Sequence, residues 1–176
     1  TTKELIAAVL SKKYNIIYTQ GNFNNHLGLP LTLLQIRPET EIAVVEMGAN
    51  HPGEIAQLCS IAQPDFGIIT NIGKAHIEGF GSFEGVVKTK NELYQYLKTK
   101  GERQKTKVFV NGNNELLMNL SEGMERIVYK TTDNRQQTTN NSPYLTVNWN
   151  NKTIKTHLVG DYNYENVMAE IGRAHV

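Results

Sequence analysis

Three residues in this chain have types and positions that suggest chemistry as well as packing: Glu46, His76 and Lys90. Glu46 directly follows the apolar run "IAVV", and a carboxylate at the end of a buried strand is costly to desolvate unless a cation or hydrogen-bond donors meet it. The plain alternative is a solvated strand end. His76 falls in "TNIGKAHIEGFGS", a glycine-rich loop just past another apolar run. An imidazole there can act as a ligand or simply face water. Lys90 stands with Val86, Leu93 and Leu97 at i, i+4, i+7 and i+11, so it interrupts the apolar stripe of a helix, whereas Lys88 points elsewhere. A lysine on that stripe snorkels, pairs with an anion, or is chemically altered.

The elements that position these residues follow from two alternating hydrophobic periods. "TTKELIAAVLSKK" has Leu5, Ile6, Val9 and Leu10 at helical spacing, and "NIIYT" reads as a short strand. Pro30 suits the first turn of a short helix running through "LTLLQI". "EIAVVEMG" is a buried strand ending at Glu46, "GEIAQLCSIA" a helix, and "FGIITNIG" a strand ending near Asn71. Phe83 to Lys100 forms the long helix, followed by the strand "KVFVNGN" and the helix "NELLMNL". This alternation predicts an α/β fold, a mostly parallel sheet flanked by helices with right-handed crossovers. "RIVYK", "YLTVNWN" and "TIKTHLV" are strands without intervening helices, so a small antiparallel appendage is expected, with a polar surface loop from Thr131 to Pro143. A final helix is expected to begin at Asn163. In open parallel sheets ligands bind beyond the carboxyl ends of strands, where Glu46, the Asn71 to His76 loop and the Asn111 to Asn114 loop all fall.

Composition narrows the classes. A chain of 176 residues with 39% hydrophobic content supports one core, so a single domain over 1–176 is expected. Eighteen Lys and Arg against 17 Asp and Glu give a net charge of +1, which leaves no electrostatic footprint for nucleic acid or an anionic membrane. An anionic ligand must be held locally. No apolar run reaches the length of a membrane span, so membrane insertion is not expected. Cys59, the only cysteine, lies in an apolar helical pattern and reads as a structural thiol in a reducing cytoplasm. No side chain stands out as a covalent nucleophile.

"GNFNNHLGLPLTLL", "EMGANHPGEI", "TNIGKAHIEGFGS" with a lysine 14 positions after the histidine, and "GDYNYENVMA" together resemble the central ATP-binding domain of the Mur ligases. The resemblance covers nearly the whole chain, and "EMGANHPGEI" favours the branch that adds D-alanyl-D-alanine. It implies ATP and Mg2+ as cofactors, and UDP-N-acetylmuramoyl-tripeptide and D-alanyl-D-alanine as substrates of a cytoplasmic, monomeric enzyme. It further implies that Lys90 is carbamylated into an anionic oxygen ligand, and that His76 and Glu46 are magnesium ligands. Asn71, Asn113, Asn114, Asn163 and Asn166 would lie near the nucleotide, and Asn24 and Asn25 toward the UDP-sugar peptide. Each asparagine could instead cap a helix or form a turn.

The family's phosphate loop, ending in Gly-Lys-Thr, is expected immediately before Thr1, with further domains on either side. The 176-residue piece alone is therefore expected not to ligate. Tyr162 stands where the family often has His. Two other readings stay open: a sister ligase acting on another amino acid or on folate, and a non-catalytic nucleotide-binding domain.

Overall fold

Alternation of helix and strand carries the chain through most of its length. The computed structural model describes residues 2–73, 77–129, 144–149, 152–159, 163–164 and 166–167. Helix α1 (Thr2–Leu10) leads into β1 (Ile16–Tyr18), α2 (Gly28–Leu33) and β2 (Ile42–Val44). Then come α3 (Glu54–Ala62), β3 (Phe66–Ile68), a short α4 (Ile77–Phe80), α5 (Phe83–Gly101), β4 (Lys107–Asn111), α6 (Glu115–Leu120) and β5 (Arg126–Tyr129). Strands β6 (Tyr144–Trp149) and β7 (Lys152–Val159) close the regular structure.

The parallel strands fall into two groups. β1 pairs with β2, Ile16 opposite Ile42 and Tyr18 opposite Val44. β3, β4 and β5 form a second parallel sheet, with Phe66 opposite Lys107 and Val108 opposite Arg126. Membership of β5 in that sheet corrects one expectation, because "RIVYK" is not part of the antiparallel appendage. Helix α6 lies between β4 and β5 and returns the chain in the same direction, as a parallel crossover requires. Among the described residues the antiparallel appendage consists of β6 and β7.

Helix α5 joins the two halves. Ser82 caps it by accepting from the Gly85 amide at 3.2 Å, and Lys98 and Lys100 lie in its last turn, where cations suit the helix dipole. Its Leu97 and Tyr94 pack with Ile69, Val108, Val110 and Leu117, while Leu93 touches both that cluster and the one formed by Leu29, Ile55, Leu58 and Cys59. Gly67 of β3 permits the close approach: a Cβ there would lie 2.5 Å from Leu97 Cδ1. Cys59 is fully buried with Sγ 3.8 Å from Met47 Sδ, and burial pushes its thiol up to about 12, as befits a structural cysteine.

Several details differ from the sequence reading: β2 ends at Val44 and β3 at Ile68, short of Glu46 and Asn71. α2 ends at Leu33, three residues short of Ile36, and Leu34 and Ile36 are exposed. On α1 the buried side is Lys3, Ile6 and Ala7, and Val9 faces solvent at 42% exposure. The β6–β7 pair docks on this helix, with Leu5 packed against Val147 and Val167. Residues 163–164 and 166–167 are helical, in keeping with a helix begun at Asn163. The Thr131 to Pro143 loop and Tyr162 lie outside the described residues.

Candidate functional site

Glu46 lies two residues beyond β2, and both of its carboxylate oxygens are engaged. Asn24 Nδ2 donates to Oε1 at 3.1 Å, and the Lys3 ammonium lies 3.1 Å from Oε2. The Glu46 amide donates to Thr19 Oγ1 at 2.9 Å, and the Thr19 amide extends the β1–β2 ladder by donating to Val44 O at 3.0 Å. The strand ends therefore fix the glutamate backbone while side chains from α1 and the loop after β1 fix its carboxylate. With 38% of its side chain exposed, the carboxylate remains reachable from solvent.

The loop carrying Asn24 is itself pinned. Gly48 N donates to Asn24 O at 2.7 Å, and a Cβ at Gly48 would stand 2.8 Å from Asn24 Nδ2, so a larger residue there would displace the Asn24 amide. Asn25 accepts from the Leu27 and Gly28 amides at 3.1 and 2.9 Å, an Asx-type start to α2. The structure thus brings Asn24 to Glu46 and gives Asn25 a capping role.

The remaining asparagines divide in the same way. Asn114 is the N-cap of α6, its Oδ1 accepting from Leu117 N at 3.1 Å. Asn113 is exposed beside it, its amide donating to Asn111 Oδ1 at 3.0 Å. Asn71 is exposed in the loop after β3. Asn163 is buried, its Nδ2 donating to Val159 O at 2.9 Å and its Oδ1 accepting from Asn166 Nδ2 at 3.1 Å. Asn166 Oδ1 accepts in turn from Thr2 Oγ1, which brings this pair to the first turn of α1, where helix amides lack internal partners.

Lys90 is half-buried on α5, between buried Val86 and Leu97, and Lys88 is exposed. The Lys90 ammonium makes no hydrogen bond or ion pair among the described residues. His76 lies outside them. No three His, Cys, Asp or Glu side chains converge as a metal cluster among the described residues. Sequence reasoning missed Lys3, and its signal was present: Lys3, Ile6 and Ala7 stand at i, i+3 and i+4, the same kind of stripe that marked Lys90.

The model of the Mur ligase middle domain matches residues 1–174. The chain belongs to the Mur ligase middle-domain family. Within the family it is 38% identical, over 97% of its length, to the UDP-N-acetylmuramoyl-tripeptide--D-alanyl-D-alanine ligase of Bacillus subtilis (strain 168), and it spans 37% of that relative. A crystal structure of MurF from Acinetobacter baumannii superposes with a TM-score of 0.81 at 26% identity, covering 99% of this chain and 39% of that one. A MurF ligase from Thermotoga maritima in complex with ADP superposes at 0.75 and 25% identity, again over 99% of this chain and 42% of that one. This Mur ligase middle domain thus shares its fold with MurF structures along nearly its whole length. No helix among the described residues is long and apolar enough to cross a membrane.

Proposed function

We propose that this chain is the ATP-binding part of an enzyme of peptidoglycan precursor synthesis that joins D-alanyl-D-alanine to UDP-N-acetylmuramoyl-tripeptide. The observation that carries the reading is the likeness, from end to end of the chain, to ligases named for that reaction. The geometry supports it through Glu46, a reachable carboxylate beyond a parallel strand, wired to an adjacent loop by Asn24.

In this reading the free carboxylate of the tripeptide attacks the γ-phosphorus of ATP, giving an acyl phosphate and ADP. The amine of D-alanyl-D-alanine then attacks the acyl carbon and phosphate leaves. No protein nucleophile is needed, which suits a chain whose one cysteine is buried. Glu46 is a hard oxygen donor of the kind magnesium takes, and we assign it, His76 and a carbamylated Lys90 as the metal ligands. Bound magnesium neutralises charge between the carboxylate and the triphosphate.

The amino-terminal turn of α1, with the positive end of the helix dipole, is the kind of place that receives phosphate. Asn163 and Asn166, tied to Thr2 there, flank the nucleotide together with Asn71, Asn113 and Asn114. Asn24 and Asn25 face the UDP-sugar peptide. Because Asn25 and Asn114 spend their oxygens on caps, each meets its ligand through the Nδ2 donor. A reaction using ATP and a nucleotide sugar belongs in the cytoplasm, and the enzyme acts there as a monomer.

The test is phosphate release by the full-length protein while ATP, magnesium, the UDP-tripeptide and D-alanyl-D-alanine are withheld one at a time. Turnover requiring all four is the expected result. Turnover with a different acceptor would move the protein to a sister ligase, and no turnover with any pair would leave only nucleotide binding.

A further inference from the structure

Lys3 takes no part in the reaction outlined above, yet it is among the most buried charged side chains, only 7% exposed. Burying an ammonium is costly unless it is paired and hydrogen-bonded, and Lys3 is both. Its Nζ lies 3.1 Å from Glu46 Oε2 and donates to the Gly21 carbonyl; Glu4 Oε1 is more distant at 4.0 Å. Its stem lies on the buried side of α1 with Ile6 and Ala7, a place an apolar residue would fill equally well. An ammonium, with three donors and a positive charge, serves a carbonyl and a carboxylate together, which an apolar side chain cannot.

The contacts close a ring. Lys3 holds Gly21, the chain runs from Gly21 to Asn24, Asn24 Nδ2 donates to Glu46 Oε1, and Glu46 Oε2 returns to Lys3. Gly21 has φ +51°, so its left-handed backbone belongs to the same turn. Gly48 N bonded to Asn24 O closes the other side.

We infer that Lys3 is a positioning residue that locks the loop from Thr19 to Asn25 onto Glu46, so that the loop meeting the acyl substrate and the carboxylate serving the metal are set as one unit. The inference rests on the proposed ligase reading only for the identity of what each side meets.

The test uses the full-length protein with Lys3→Met, and with Lys3→Gln, which keeps a donor for Gly21 but loses the charge, should the first not fold. Amide hydrogen exchange is followed at Gly48 and, as a reference, at Val108 to Val110. Exchange at Gly48 is expected to rise about tenfold or more while the β4 reference is unchanged. The KM for the UDP-tripeptide is expected to rise about 10- to 100-fold, more than the KM for ATP and more than kcat falls, with Lys3→Arg recovering much of the loss. Unchanged exchange at Gly48, or a uniform rise that includes β4, overturns the tether. Equal changes in both KM values overturn its link to the acyl substrate. A wild-type protein that does not turn over the UDP-tripeptide defeats the ligase reading alone, since the exchange measurement still decides Lys3.

Discussion

Lys90 and Lys3 are both lysines on the inner side of a helix, but their surroundings differ. Lys3 is paired at 3.1 Å with Glu46, whereas Lys90 is half-buried with no ion-pair partner among the described residues. A partly desolvated amine without an anion is open to conversion into a carbamate, whose oxygens are ligands for a hard cation. Lys90→Ala in the full-length enzyme is therefore expected to lower turnover on the order of 100-fold, with short carboxylates such as acetate restoring part of it. Unchanged turnover in the variant would make Lys90 a snorkelling surface lysine. The half-burial of Lys90 was legible because its stripe is long and otherwise apolar. The burial of Lys3 was overlooked because Leu5, Ile6, Val9 and Leu10 drew the apolar stripe to one side of it, although Lys3, Ile6 and Ala7 stand at i, i+3 and i+4. The asparagines were ambiguous for another reason: the same side chain can cap a helix or reach a distant group, and only hydrogen-bond geometry separates Asn24, which donates to Glu46, from Asn25, which accepts from the start of α2.

Among the elements, α3 depends on a residue far away in sequence. Its N-cap, Gly53, has φ +88° and no side chain to satisfy the first amides. Glu92 of α5 does so instead, accepting from Gly53 N at 2.8 Å and Ala56 N at 2.9 Å, and placing a negative charge at the positive end of the helix. Glu92→Ala is expected to destabilise the protein by about 1–2 kcal/mol, and Glu92→Gln, which keeps an acceptor, by less. Thermal unfolding measures both; an Ala variant as stable as the parent would show that water replaces the cap. The strands and main helices were readable from period alone, since parallel strands such as β4 are continuous apolar runs. β5 was misassigned to the appendage because it was grouped with the two helix-free strands that follow it, although the helix before it, α6, was recognised and makes it a parallel partner of β4.

Across the whole molecule, Lys3, Gly21, Asn24 and Glu46 gather where the first turn of α1 and the loop after β1 meet the carboxyl end of β2, while Leu93 of α5 packs against both core clusters. Topology made the strand-end location predictable, but the ring through Lys3, Gly21, Asn24 and Glu46 depends on side chains from three segments and could be seen only once folded. Acyl activation by ATP is the step on which the ligase reading rests, and the path of the carboxylate oxygen reports on it. The full-length enzyme is supplied with ATP, magnesium, D-alanyl-D-alanine and UDP-tripeptide carrying oxygen-18 in its terminal carboxylate, and the released phosphate is examined by mass spectrometry. An acyl phosphate requires that the bridging oxygen leave with phosphorus, so phosphate carrying a single labelled oxygen is predicted. Unlabelled phosphate alongside ligated product would contradict the account.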